Sequence, residues 1–187
     1  MKNKRMNNKG FSLIELIIVI AIMAVLLVVL VPQYLQYVEK AKRARDANSA
    51  LEMRNVFDRV LAMDSTLIYK GGPGSAYRSD NGNYVAVLSA DGSDAGYVSV
   101  PLLAAALDEL GECPISATFK NGMWAVEIDP KQSNVVRIEL IELTAEGPPV
   151  VGGSIQGYEV WPDSHAFCAC EEPTDAQIYN HITYVGK

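Results

Sequence analysis

The side chains whose types could take part in chemistry fall into two groups. A single carboxylate, Glu15, stands at the start of an apolar stretch that runs from Leu16 to Val31. An unpaired carboxylate in hydrocarbon costs roughly a few kcal/mol, so a functional role is the default hypothesis for such a residue. The second group is His165, Cys168 and Cys170, which lie within six residues. Glu15 could pair with a buried positive charge, whereas the second group could form a disulfide or bind a metal.

The cysteines favour a disulfide over a metal centre. Three cysteines would leave one thiol after one disulfide in an oxidising compartment. Cys168 and Cys170 are two residues apart and would share a face of a strand, so a bond from either of them to Cys113 is favoured. Together with His165 they could form a four-ligand zinc site, but the spacing is not a standard one. We therefore expect no metal and no cofactor.

No catalytic arrangement is visible elsewhere in the sequence. The chain has two histidines, no Ser or Cys in a recognised nucleophile setting and no glycine-rich phosphate loop after a strand. Asp91 and Asp94 could offer oxygens to calcium, but a twelve-residue loop with a closing Glu is missing. Scattered acids on the strands are interpreted as aids to solubility and edge protection. The chain is predicted not to be an enzyme.

Charge is unevenly distributed along the chain. Residues 1–10 carry four bases and no acid, whereas residues 61–187 carry six bases and seventeen acids, a net charge of −11. An acidic body is a poor partner for nucleic acid, so no direct nucleic-acid binding is expected.

The apolar stretch predicts a helix inserted in a membrane. Phe11 to Val31 contains one charge and would span about 31 Å as a helix, close to the thickness of a bilayer core. A cleaved secretory signal is disfavoured because no Ala-x-Ala follows the core. A soluble core helix is disfavoured because no polar face interrupts Leu16–Val31. The four leading bases favour an N-terminus that stays inside the cell.

A basic leader ending in Gly10, then Phe11, a hydrophobic helix and Glu15 resembles the N-terminus of a type IV prepilin or pseudopilin, with its class III signal peptide. The resemblance covers about the first fifty residues. It implies that a prepilin peptidase cuts between Gly10 and Phe11 and methylates the new amine of Phe11. It also implies that Glu15 pairs with the Phe11 amine of a neighbouring subunit, each offsetting the other's burial.

Pro32 lies where many members of that family kink. It removes the amide that would bond to the Val28 carbonyl, at a cost of about 3 kcal/mol in a regular helix. A kink or a locally melted turn is therefore expected around Val28–Pro32.

The resemblance also implies partners and a location. The chain would be a single-pass precursor in the cytoplasmic membrane, and then part of a homo-oligomeric extracellular filament built by pilus assembly machinery. The leading hypothesis is a major pilin, or fimbrial subunit, serving attachment or twitching motility. A type II secretion pseudopilin and a competence pilin share the same N-terminus and stay open. A minor adhesin pilin whose head binds a ligand is the alternative of another class.

For that alternative, exposed aromatic side chains would make the ligand contacts, although most of them are better explained as core or strand residues. The candidates are Tyr77, Tyr84, Tyr97, Trp124 and Trp161.

The rest of the chain predicts an α+β fold, in which a long N-terminal helix packs against a small antiparallel β-sheet head. The long helix would continue to about Met63 and pack through an apolar stripe. That stripe is Met53, Val56, Phe57, Val60 and Leu61. The predicted organisation is a leader (1–10), a transmembrane and filament-core helix (11–33), an amphipathic half (34–65) and a globular head (66–187).

A run of charges precedes the stripe and is interpreted either as a solvated helix face or as a surface that meets acidic bodies of neighbouring subunits. The run is Glu39, Lys40, Lys42, Arg43, Arg45 and Asp46.

Shorter elements follow from alternation and turn residues. Residues 115–119 and 123–128 predict a hairpin around Lys120-Asn121-Gly122, and residues 134–143 predict a third strand of the same meander. The other predicted elements are a strand at 84–88, a helix at 101–110 stopped by Gly111, an edge strand at 155–161, and a helix or strand at 174–184.

Overall fold

The computed structural model describes residues 11–67, 77–79, 82–89, 101–119, 122–142, 154–155, 157–169 and 182–184. The helices are α1 (Leu13–Met63), α2 (Pro101–Leu110) and α3 (His165–Ala169). The strands are β1 (Tyr77–Ser79), β2 (Tyr84–Ser89), β3 (Gly122–Asp129), β4 (Asn134–Glu142), β5 (Ser154–Ile155), β6 (Tyr158–Trp161) and β7 (Ile182–Tyr184). The predicted α+β class, with one long helix and an antiparallel sheet, is confirmed.

The chain divides into two compact units, Met1–Val38 and Glu39–Lys187. The described part of the first unit is helical from Leu13 onward, and its large apolar side chains are exposed almost throughout. Among the described residues, α1 is the one helix long and apolar enough to cross a membrane. The absence of a polar face on Leu16–Val31 agrees with this exposure, because no protein surface in this unit covers the helix.

The second unit is built on an antiparallel sheet with the strand order β5-β7-β1-β2-β3-β4-β6. Its centre is the meander β2-β3-β4, in which β3 pairs with β2 over Met123–Ile128 and with β4 over Gly122–Asp129. Side chains on β3 are buried on both faces of the sheet. The centre of the sheet is therefore a two-sided layer and not a sheet with one solvated face.

The face of the sheet that meets α1 forms the main hydrophobic core. All five residues of the predicted helical stripe are buried there, so the 3.6-residue periodicity identified the packing face correctly. From the sheet and the shorter helices, the same cluster includes Leu102, Trp124, Val126, Ile128, Ile138, Leu140, Val160 and Phe167. All of these residues belong to Glu39–Lys187.

The predicted hairpin at 115–119 and 123–128 is wrong. Residues 113–119 form no strand, and β3 pairs instead with β2 and β4. The amides of Ala117 and Thr118 are bonded to the carboxylate of Asp46 on α1, so they are not available for a ladder. A long-range side chain thus overrode the local strand propensity.

Most other short elements appear where they were predicted. The strand at 84–88, the helix at 101–110 and the strand at 134–143 correspond to β2, α2 and β4. Gly111 adopts a φ of 79° and its amide bonds to the Leu107 carbonyl at 2.9 Å, which ends α2 as expected of a C-terminal glycine.

The C-terminal part differs in detail. The predicted edge strand at 155–161 is split into β5 and β6, which lie at opposite edges of the sheet. Residues 182–184 are a strand, and residues 170–181 lie outside the described residues, as do Gly71–Ser75 and the turn with Asp91 and Asp94.

Candidate functional site: the start of the long helix

The described chain begins at Phe11, and Gly10 lies outside the described residues. Phe11 is 91% exposed, and α1 begins two residues later at Leu13. The backbone amide of Ser12 donates a hydrogen bond to Oε2 of Glu15 at 2.8 Å. The Leu16 amide bonds to the Ser12 carbonyl at 3.3 Å, so Ser12 is the N-cap residue of the helix.

Ser12-Leu13-Ile14-Glu15 is therefore half of a capping box, in which the third residue of the helix reaches back to the N-cap amide. The negative charge also lies in the first turn, where the helix dipole favours it. The sequence alone suggests an unpaired carboxylate. In the single chain, Glu15 instead accepts a hydrogen bond from the Ser12 amide. The contact holds Glu15 against the amide next to Phe11.

Pro32 lies inside α1, and the helix continues through it without a break. Residues 28–32 are all helical, so the locally melted turn is not seen in this chain. Proline still lacks the amide that would bond to the Val28 carbonyl, so this is the one turn of the apolar segment with a missing hydrogen bond.

Within Glu39–Lys187, Asp46 anchors α1 to the segment before β3. Its side chain is 0% exposed, and its carboxylate accepts bonds from Ser116 Oγ at 2.9 Å, the Ala117 amide at 2.7 Å and the Thr118 amide at 3.0 Å. The sequence predicts Asp46 either on a solvated helix face or on a surface that meets neighbouring subunits, and its burial within one chain fits neither interpretation. The local pattern gave no signal for this contact, because its partners are about seventy residues away in the chain.

Two arginines of α1 pack on aromatic rings of the same unit. Arg43 lies 5.3 Å from the centre of the Phe167 ring and donates to the Phe167 carbonyl at 3.3 Å. Arg54 lies 5.2 Å from the centre of the Trp161 ring and pairs with Asp58 at 2.8 Å. Arg43, like Asp46, thus belongs to the packing of the head and not to a solvated run of charges.

The opposite face of the sheet contains a group of buried acids. Glu127 and Glu139 are 2% and 1% exposed, which contradicts their interpretation as solubilising surface acids. Arg137 lies 3.8 Å from Glu127 and 3.2 Å from Glu159, and the Asn83 amide donates to Glu127 at 2.8 Å. Neither carboxyl oxygen of Glu139 has a hydrogen-bond partner among the described residues.

Burial raises the pKa of Glu139 from 4.5 to about 9. The guanidinium of Arg137 opposes that shift, while the charges of Glu127 and Glu159 add to it. Glu139 is therefore protonated at neutral pH. The carboxyl also lies against the backbone of Gly157, where a β-carbon would come within 3.0 Å of Oε2.

Only part of the predicted cysteine and histidine group, Cys113, His165 and Cys168, lies among the described residues. Cys113 and Cys168 are both partly buried against the core, whereas Cys170 lies outside the described residues. The disulfide therefore stays a prediction. His165 is exposed at the start of α3. Among the described residues, no group of three or more His, Cys, Asp or Glu side chains could hold a metal ion.

The aromatic residues considered for ligand contact are mostly structural. Trp124 is fully buried and its ring nitrogen donates to the Pro114 carbonyl at 2.7 Å. Trp161 lies beneath Arg54, and Tyr84 packs against the core. Tyr97 and the side chain of Tyr77 lie outside the described residues. The described part of the head therefore offers little support for an aromatic ligand site.

Comparison with known proteins gives one match. A family model described as the prokaryotic N-terminal methylation motif matches residues 5–31. No curated protein and no solved structure matches the chain. The matched residues include Gly10, Phe11 and Glu15, whose carboxylate bonds to the Ser12 amide. They also include the exposed apolar part of α1 up to Val31. Residues 5–31 thus carry the class III signal peptide motif of type IV pilins and pseudopilins, and this motif supports a pilin-like or pseudopilin precursor.

Proposed function

We propose that this chain is the major structural subunit of a type IV pilus that serves attachment or twitching motility. The observation that carries the proposal is the methylation motif at residues 5–31, which leads directly into a long helix with exposed apolar side chains. Such a helix is stable only in a bilayer or against other apolar surfaces. A filament core made of many copies of α1 would provide the second environment.

Processing would occur while the apolar helix is in the membrane. A prepilin peptidase hydrolyses the bond between Gly10 and Phe11, which removes the leader (1–10) and leaves the helix (11–33) in place. The new amine of Phe11 is then methylated. The remaining parts, the amphipathic half (34–65) and the head (66–187), would form the surface of the filament.

Assembly would exchange one partner of Glu15 for another. In the single chain the carboxylate bonds to the Ser12 amide, and in the filament it would pair with the positive Phe11 amine of a neighbour. A buried charge pair is tolerable only when both members are satisfied, so each subunit would require the next one. The missing hydrogen bond at Pro32 would let α1 bend as it leaves the bilayer.

Two substitutions of Glu15 test whether its charge, and not only its hydrogen bond to the Ser12 amide, is needed for assembly. Glu15→Gln keeps an acceptor for the Ser12 amide but removes the charge, whereas Glu15→Val removes both. We expect both variants to be inserted and cleaved, and both to give at least tenfold fewer filaments by electron microscopy of sheared surface material. Glu52→Gln, an exposed site on the same helix, is the matched control. Normal filament numbers from Glu15→Gln would refute the charge-pairing role.

Deletion of the chain tests the claim that it is the main subunit. Cells without it are expected to lose surface filaments, and filaments of wild-type cells are expected to contain this chain as their main component by mass spectrometry. Filaments that persist in normal number and length would contradict the proposal and would favour a minor adhesin or a secretion pseudopilin.

A further inference from the structure

The part of α1 that belongs to Glu39–Lys187 carries six bases, and only half of them are paired. Arg43, Arg54 and Arg59 bond to Glu39, Asp58 and Glu109. Lys40, Lys42 and Arg45 are exposed and make no ion pair with any described residue. We call these three residues the basic group. Three unpaired positive charges within six residues repel one another and favour a negative partner from outside the chain.

The end of α2 carries the opposite charge in an unfavourable place. Asp108 and Glu109 lie in its last turn, which contains no base, and Glu112 follows directly. The helix dipole disfavours carboxylates at this end. Glu109 is bonded to Arg59 at 2.6 Å, while Asp108 and Glu112 are exposed and make no ion pair with any described residue.

An exposed apolar residue adjoins these acids. Ile115, three residues after Glu112, is 55% exposed although the chain on either side of it is partly buried. We call Asp108, Glu112 and Ile115 the acidic end. An apolar centre with a charged rim is the usual composition of a specific protein interface.

The two groups lie at different heights along α1. Glu109 contacts Arg59, and Ala117 contacts Asp46, so the segment between them runs beside α1 over about 20 Å at 1.5 Å per residue. The basic group adjoins the Asp46 level and extends away from Arg59. Within one chain the basic group and the acidic end are therefore separated along the axis of α1. A second copy displaced along that axis can bring its acidic end level with the basic group of the first.

We propose that the basic group of one copy docks on the acidic end of a second copy of this chain. The contact joins two different surfaces, so it is a heterologous contact that leaves one of each surface open for further copies. This inference rests on the proposed function, since it supplies a contact between the Glu39–Lys187 units of two copies that the apolar helix alone does not. The net charge of −11 on residues 61–187 favours a protein partner of this kind over an anionic lipid surface.

A mixing experiment tests the contact directly. One full-length variant carries Lys42→Glu and Arg45→Glu, and a second carries Asp108→Lys and Glu112→Lys. Self-association of each purified chain in neutral detergent is measured by analytical ultracentrifugation at low salt. We expect each variant alone to associate at least tenfold more weakly than the wild type, and an equal mixture of the two to recover to within about threefold.

Recovery on mixing identifies a contact between copies, because a change within one chain would not be restored by another. Lys131→Glu, which reverses an exposed base elsewhere, is the matched control and should leave association unchanged. Unchanged association of both variants, or no recovery in the mixture, would overturn the inference.

Vesicles distinguish the lipid alternative. Binding to phosphatidylglycerol vesicles that is lost with Lys42→Glu and Arg45→Glu, together with unchanged self-association, would show that the basic group binds lipid and would refute the protein contact. These readouts do not require filaments. Filaments that persist in cells without this chain would therefore contradict the proposed function, while the contact would still be supported or refuted by its own measurement.

Discussion

At the scale of single residues, three carboxylates in different surroundings show how the chain holds together. Glu15 caps the start of α1, Asp46 ties that helix to the segment before β3, and Glu139 is buried with no hydrogen-bond partner in the described part of the chain. These three acids have the same chemistry and different surroundings. Their roles follow from which donors and charges lie next to each one and from how far each is buried.

Asp46→Ala should destabilise the C-terminal unit by about 3 kcal/mol or more, because three donors lose a charged acceptor in a buried site. Asp46→Asn should lose less, since one acceptor oxygen remains. Chemical unfolding of the full chain in detergent, followed by tryptophan fluorescence, measures both changes. Glu52→Ala on the exposed face is the control, with an expected change below about 0.5 kcal/mol. An equally small effect of Asp46→Ala would disprove the anchoring role.

Glu139 should make the unit less stable as the pH rises. Its pKa is about 9 in the folded chain and ordinary in the unfolded chain, so the folded state holds a proton that the unfolded state releases. The resulting stability is fully present below about pH 4.5 and is lost progressively up to about pH 9. Between pH 4.5 and pH 7 the loss is roughly 3 kcal/mol.

The measurement is the unfolding free energy of wild type and Glu139→Gln at pH 5, 7 and 9. The variant cannot ionise, so the difference between the two proteins should grow with pH in favour of the variant. Glu52→Gln serves as the exposed comparison. A constant difference across the pH range would show that Glu139 does not hold a proton in the folded chain.

At the scale of elements, α1 is one helix with two kinds of surface. Its first part exposes apolar side chains on all sides, and its last part buries one stripe and exposes polar residues. The change in hydrophobic pattern was readable from the sequence. The loop at 115–119 was not, because its strand-like residues are held by Asp46 from a distant element.

Phe57→Ala tests the packing of the buried stripe. Phe57 is 0% exposed within the core cluster, so truncation should cost about 3–5 kcal/mol through lost burial and a cavity. Leu51 lies on the same helix at 44% exposure, and Leu51→Ala should cost far less. Thermal unfolding of both variants gives the comparison. Similar losses at the two positions would mean that the stripe does not form the core.

At the scale of the whole molecule, the chain has two units that differ in whether their apolar side chains are buried or exposed. Every member of the core cluster lies within Glu39–Lys187, and the described part of Met1–Val38 offers an exposed apolar helix. Stability of the second unit should therefore not depend on the first.

A chain that begins at Glu39 should accordingly fold by itself in water. We expect a cooperative thermal transition within a few degrees of that of the full chain in detergent, and a monomer at high salt. Circular dichroism and size-exclusion chromatography measure these properties. A broad transition or loss of near-ultraviolet signal would show that residues before Glu39 are required for the fold.

The sequence by itself determined the features that depend on local order. The N-terminal methylation motif, the apolar span, the buried stripe, α2 with its glycine stop and the β2 and β4 strands are all encoded by neighbouring residues, whose spacing sets which face is apolar. Tertiary structure alone decided the rest. It buried Asp46, Glu127 and Glu139, and it replaced a predicted hairpin by a meander with β2 at its side. The reason is physical: a charge belongs in the interior only if distant groups satisfy or neutralise it, and periodicity along a chain carries no information about those groups.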